Sequence, residues 1–231
     1  MFNFLTLAIP TIKLSVESAQ NTPQFSIFLQ VLLLLTILSI APALLLTLTS
    51  FTRLIVVFSI LRHAIGLQQT PPNQVLISLA LFLTFFIMAP TFNQIYNEAI
   101  SPYMKGKINE EELFERASKS LKEFMFKNTR EKDLALFVKI RGEERPRSKE
   151  DVSLTTLIPA FMISELKTAF QIGFLLYIPF LVIDIVVSSV LISMGVLMLP
   201  PLMISLPLKL LLFVLVDGWN LLVMSLVKSF Y

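Results

Sequence analysis

Long apolar runs separated by short polar breaks dominate this chain of 231 residues, and their spacing suits helices. The first run, Phe25 to Leu61, exceeds the roughly 20 residues that one membrane crossing requires, and Pro42 and Arg53 interrupt its character. It predicts a spanning helix over Ile27 to Leu48 and a further helix over Phe51 to Leu61. Gly66 and the Pro71, Pro72 pair then end one helix and reset the chain for the next. With Val75 to Pro90 as its second arm, residues 25–92 read as a hydrophobic helical hairpin. From Leu154 the chain is apolar again, divided by Pro159, Pro179 and the Pro200, Pro201 pair, and its last run is Leu208 to Val227. Residues 152–231 thus form a second hairpin. Four principal hydrophobic segments result, all too long for barrel strands of roughly 9–11 residues and without sustained alternation.

Between the hairpins the pattern inverts. Residues 93–151 hold 13 basic and 12 acidic side chains, 25 of the 35 charges in the chain, which marks a water-facing domain. Asn109 is placed to cap a helix whose first turn carries Glu110, Glu111 and Glu112, with Lys119, Lys122 and Lys127 toward its far end, as the helix dipole favours. Leu113, Ala117, Leu121 and Phe124 form its apolar stripe. Thr129 is expected to cap a second helix carrying Leu134, Phe137 and Val138, with Gly142 as its stop. Residues 143–151, EERPRSKED, read as a solvated linker. The expected fold class is therefore all-α: an integral membrane helical protein with kinked helical hairpins and a small helical extracytoplasmic domain. Arg53, Arg62 and His63 at the first hairpin turn orient both termini and residues 93–151 away from the cytoplasm. Residues 1–24 form an N-terminal segment and a candidate signal peptide, with a short apolar stretch before Ser18 and Ala19; no Lys or Arg precedes that stretch and Pro10 breaks it.

Composition adds weight to the membrane and removes several chemistries. The chain is 55% hydrophobic and 15% charged, where a soluble domain carries about 25% charge. A formal charge of +3 arises from mixed rather than clustered charges, which argues against nucleic acid as a partner. Without Cys, and with His63 as its sole His, the chain offers no thiolate or histidine metal cluster. Six Gly and no Gly-rich phosphate loop argue against a nucleotide-driven motor. Neither an enzyme nor a cofactor is expected.

The charges left inside apolar runs are Arg53, Glu165, Lys167, Asp184, Lys209 and Asp217. Each costs roughly 2.5–3.5 kcal/mol at the centre of a spanning helix, so each needs a partner, a wet cavity or an exit to the surface. Arg53, Asp184 and Asp217 are the candidate buried charges. Asp184 and Asp217 read either as an ion relay or as paired groups; no second acid sits one turn away, which favours pairing. Lys209, near a helix start, has the option of snorkelling. Glu165 and Lys167 are two apart and face different directions, so their partners lie on other elements. A stretch rich in Gly and Met, SMGVLMLPPLM at residues 193–203, suits either core filling or closure around varied contents.

Two stretches carry a resemblance. RHAIGLQQTPPNQVLISLALFLTFFIMAPTFNQIYNEAI is similar to the signature of the FliP family and its type III secretion counterparts, and SELKTAFQIGFLLYIPFLVIDIVVSSVL with LKLLLFVLVDGW resembles the C-terminal signature of that family. The similarity covers Ala41 to Tyr231. The resemblance implies a subunit of the flagellar protein-export gate in the bacterial inner membrane, at the flagellar basal body. It implies a pentameric ring of copies with FliQ and FliR, and FlhB and FlhA nearby, passing unfolded flagellar subunits through a closable pore. It places a pore gasket at Met194, Val196, Leu197, Met198 and Leu199, with Val196, Leu197 and Leu199 where some relatives carry Met. It places intersubunit charge contacts at Arg130, Glu165 and Lys209, and buries apolar surface against partners rather than lipid. The competing readings are an ion-conducting or solute transporter subunit, and the equivalent injectisome gate protein.

Overall fold

The computed structural model describes residues 22–142, 148–149, 151–196 and 198–231. The signal-peptide expectation, most of the 143–151 linker and the gasket position Leu197 lie outside the described residues. All regular structure in the described residues is helical. The described residues divide between two units, 22–42 and 43–231. In the first, the described part belongs to α1 (Thr22–Leu48), and every side chain from Ile27 to Pro42 is exposed. An apolar helix with no buried side, 22 residues long over Ile27–Leu48, suits a surrounding of lipid or other chains.

The second unit is organised around α2 (Phe51–Ile65), α3 (Asn73–Ile95) and α7 (Leu154–Ser193). The chain breaks at Thr49 and Ser50, where the Thr49 hydroxyl donates to the Leu45 carbonyl at 2.5 Å and accepts from the Phe51 amide at 3.3 Å. Leu54, Val57, Phe58, Leu61 and Ala64 recur at helical spacing and are buried, so one face of α2 forms the core. α2 stops at Gly66, whose φ of 94° admits the left-handed turn that returns its amide to the His63 carbonyl at 3.0 Å. Leu76, Ala80 and Ile87 of α3 and Ala169 and Phe180 of α7 close the same core. Gly173 sits where α7 meets α2: a Cβ there would stand 2.4 Å from Ile60 Cδ1, so the crossing tolerates no side chain without displacement.

α3 continues past the composition change at residue 93, through a π-helical turn (Tyr96–Ile100) into the short α4 (Ser101–Met104). The two charged-region helices are α5 (Glu110–Asn128) and α6 (Glu131–Arg141). Asn109 caps α5 as expected, its side chain accepting from the Glu112 amide at 2.8 Å, and Gly142 (φ 66°) ends α6. Thr129 does not cap α6. Its hydroxyl donates backwards to the Met125 carbonyl at 2.7 Å, and Arg130 occupies the cap position with extended backbone. Both helices pack on the first half of α7, where Met125, Val152, Leu157 and Phe161 form a second small core.

α7 has 40 residues and contains Pro159 and Pro179. At 1.5 Å per residue it is about 60 Å long, twice the roughly 30 Å hydrocarbon thickness. Its first half carries most of the buried positions, while its second half buries Phe180 and Val187 and exposes Phe174, Val182, Ile185 and Val190. α8 (Pro201–Leu215) and α9 (Gly218–Lys228) follow, bent by 65°. Three helical stretches, Ile27–Leu48, Asn73–Met104 and Leu154–Ser193, are long and apolar enough to cross a membrane, and α8 with α9 makes a fourth if the bent pair is one span. The fold is that of an all-α membrane protein, with prolines inside α1, α3, α7 and α8.

Candidate functional site

Arg53 is the hub of a buried polar network. It is 3% exposed and faces Glu165, which is 0% exposed. Its Nε donates to Glu165 Oε2 at 2.9 Å and one Nη2 hydrogen goes to Oε1, a bidentate fork. Nη1 donates to both the carbonyl and hydroxyl oxygens of Ser229 at 2.9 Å, and Nη2 also reaches Asn128 Oδ1 at 3.2 Å. All five guanidinium donors are therefore satisfied, which is what makes burial of the charge tolerable. The Phe230 ring covers the group, its centroid 3.7 Å from Cζ. One side chain thus ties α2 to α5, α7 and the chain end.

Lys209 forms a second network. It is 2% exposed, and its ammonium donates to Asp184 Oδ2 at 2.6 Å and to the Ala64 carbonyl at 3.1 Å. Ala64 lies in the last turn of α2, the negative end of that helix, so carboxylate and dipole both favour the cation. α8 is thereby joined to α7 and α2. Lys209 does not snorkel.

The third network lies where α6 meets α7. Asp133 is buried, takes a hydrogen bond from Ser164 at 2.8 Å and pairs with Lys167. Burial raises the carboxyl of Asp133, but the bonds from Lys167 and Ser164 and the charges of Lys167 and Arg130 outweigh it and hold it below its ordinary 3.8. A carboxyl lowered in the folded state adds stability above pH 3.8 that is lost as pH falls through its lower native value. Asp133→Asn is therefore expected to flatten the acid limb of a thermal-unfolding profile in detergent below pH 3.8, with little change of slope near neutrality.

Glu165 and Lys209, expected to find opposite charges on neighbouring copies, find them within the chain, on Arg53 and Asp184. Arg130 also turns inward, its Nη2 donating to Thr168 Oγ1 at 3.0 Å and Gln171 Oε1 at 2.5 Å, and its amide to Ser164 Oγ at 3.0 Å. Asp217 is exposed rather than buried. It sits at the bend between α8 and α9 in the left-handed region (φ 50°), with Asn220 Nδ2 donating to its Oδ2 at 3.2 Å. Asp133, Asn128, Ser229 and Phe230 escaped sequence reasoning. One signal was present: the six charges in apolar runs are three of each sign, which suits internal pairing.

The loop between α7 and α8 contrasts with these closed networks. Met198 is 98% exposed, and Met194, Val196 and Leu199 beside it are exposed as well. Gly195 turns the chain there with φ 71°. These apolar side chains project from the end of a long helix.

The whole arrangement has relatives. The FliP family model matches residues 34–226. The flagellar biosynthetic protein FliP of Bacillus subtilis (strain 168) is 56% identical over 217 residues, covering 94% of this chain and 98% of that protein. Its namesake from Aquifex aeolicus (strain VF5) is 52% identical over 229 residues, covering 98% and 94%. The Cereibacter sphaeroides protein of the same name is 51% identical over 218 residues, covering 94% of this chain and 72% of its own length. With matches of this extent, the chain belongs to the FliP family.

Proposed function

We propose that the chain is a core pore-forming subunit of the bacterial flagellar type III export gate in the inner membrane, part of the flagellar basal body. Several copies assemble there with FliQ and FliR, beside FlhB and FlhA, and conduct unfolded flagellar subunits. The chain conducts and does not catalyse. The observation that carries this reading is the α7–α8 loop. Its Met198 and Met194 stand out at 98% and 70% exposure in a chain whose family relatives are flagellar biosynthetic proteins. Unbranched, adaptable side chains at an exposed turn close around contents of varied shape and reopen, which a rigid β-branched ring does less readily. Met194, Val196, Leu197, Met198 and Leu199 are the proposed gasket. The transporter reading loses its main support because Asp184 is engaged by Lys209.

The chain contains no Cys, so a single introduced thiol is unambiguous. Met198→Cys, in cells producing an export substrate stalled by a folded fusion and carrying one Cys in its unfolded portion, is expected to yield a disulfide-linked adduct. A control Cys at exposed Ile140 on α6 is expected to yield none. Equal capture at both positions, or at neither while export proceeds, rejects the gasket.

A further inference from the structure

α8 and α9 meet at a bend of 65°, and beside it lies a partly open cavity of about 400 Å³. Four helices supply its wall, among them Leu61 of α2, Ile172 and Phe180 of α7, Phe213 of α8 and Leu222 of α9. Among the described residues, Ser225 is the one polar side chain that lines it, and no charged side chain does. Gly218 fixes the Phe213 ring from behind, since a Cβ there would stand 2.2 Å from Phe213 Cε2. Trp219 meets the same ring edge-on, with centroids 5.5 Å apart. Water needs two to four polar partners, which this wall does not offer. Dry apolar cavities of about 150 Å³ take up benzene, and an empty one forfeits dispersion contacts along its lining. The cavity calls for an apolar guest.

Its level in the membrane narrows the guest. The hydrocarbon layer takes about 20 residues of helix, and counting about that number back from Ser193 reaches Gly173. Exposed Lys167 and Gln171 precede that point, and the exposed Phe174, Val182 and Ile185 follow it. Ile172 therefore stands at the edge of the hydrocarbon, and the cavity joins it to the α8–α9 bend. The bend carries side chains suited to that edge: Asp217, Trp219 and Asn220 are all exposed, and Trp is enriched where a membrane meets water. Asp217 stands at the cap position of α9 but makes no capping bond. Its Oδ2 accepts from Asn220 Nδ2, which leaves Oδ1 open to a further donor. No basic residue occurs between Lys209 and Lys228, and Lys209 is engaged by Asp184. The charge offered at the bend is negative.

We infer that the cavity receives an acyl chain of a phospholipid whose primary-amine headgroup, as in phosphatidylethanolamine, is held by Asp217. The ammonium donates a charge-assisted hydrogen bond to the carboxylate, which Asn220 orients. An anionic headgroup, as in phosphatidylglycerol, brings like charge to Asp217 and is disfavoured. A chain seated there fills the angle between α8 and α9 and braces the bend. This inference stands on the cavity and on the membrane placement of α7, whatever passes the gate.

Trp219 is the sole Trp of the chain, so its fluorescence reports on the cavity wall in the unmodified full chain. Two reconstitutions are compared: phosphatidylglycerol vesicles with a minor share of phosphatidylethanolamine bearing brominated acyl chains, and the converse mixture with brominated phosphatidylglycerol. Quenching of Trp219 is expected to show a preference of about fivefold for the amine lipid, the scale of an exposed charge contact. Asp217→Asn is expected to abolish the preference while quenching persists. Ser225→Phe, which fills the cavity, is expected to lower quenching by both lipids. Equal quenching of the wild-type protein by the two lipids overturns the proposal, as does a preference that survives Asp217→Asn. Asp217→Asn changes an exposed side chain, so its result decides even where Ser225→Phe does not fold. Lipid extracted from assemblies purified out of native membranes is expected to contain an amine phospholipid in numbers matching the copies of this chain. Intact assemblies without it would show that protein side chains fill the cavity and overturn the lipid assignment.

Discussion

Arg53→Met is expected to destabilise the protein by about 3–5 kcal/mol, the range for removing one partner of a buried ion pair. The size follows from what remains. Glu165, fully buried on α7, would lose its fork, and Ser229 and Asn128 would lose their donor together. Coulomb attraction alone does not explain the stability of the pair, because desolvating two ions costs as much as the attraction returns. Its stability rests on complete satisfaction of the five donors. Arg53→Lys keeps the charge but not the fork and is expected to fall between wild type and Arg53→Met. Arg53→Met with Glu165→Leu is expected to recover much of the loss, since the buried charge disappears with its partner. Thermal unfolding in detergent of these four proteins and of Glu165→Leu alone measures this directly. A double variant as unstable as the sum of its singles would show that the two residues act independently.

Asp184→Leu is the second large effect, and its contrast with Lys209→Met is the informative part. Lys209 is 2% exposed and Asp184 31%. Removing the carboxylate strands a buried ammonium whose remaining acceptor is the Ala64 carbonyl, which is expected to cost about 3–5 kcal/mol. Removing the ammonium leaves a carboxylate already in reach of water, and about 1–2 kcal/mol is expected. Unfolding temperatures in detergent should therefore rank wild type, Lys209→Met, Asp184→Leu in falling order. The reverse order would mean that Asp184 rather than Lys209 carries the burial penalty. The same variants separate an ion relay from a structural pair: a relay loses flux in intact assemblies, whereas a pair loses stability.

Helix ends and apolar faces were legible before the structure. Gly66 and Gly142 stop their helices because a left-handed turn needs no Cβ, and Asn109 caps α5 because its side chain reaches the third amide beyond it. These are interactions over three or four residues. The buried face of α2 follows from helical period in the same way. Thr129 shows where local logic fails: its hydroxyl has two acceptable partners, the amides ahead and the carbonyl four residues behind. Packing of Arg130 against Ser164 on α7 settles that choice.

The α7–α8 loop, the proposed gasket, was legible as a composition, a Gly and Met stretch between apolar runs, but its projection into the open depends on where α7 ends and Gly195 turns. Partner choice lay furthest from the local pattern. That Arg53, Glu165, Lys209 and Asp184 require partners follows from the cost of a bare charge in an apolar run, which any window of the chain reveals. That Arg53 meets Glu165, 112 positions away, and Lys209 meets Asp184, 25 positions away, is decided by which faces of α2, α7 and α8 touch. Hydrophobic burial fixes helices and their inward stripes through spacing along the chain. The crossing of those helices, set by packing at places such as Gly173 and Ile60, selects which charges come within reach.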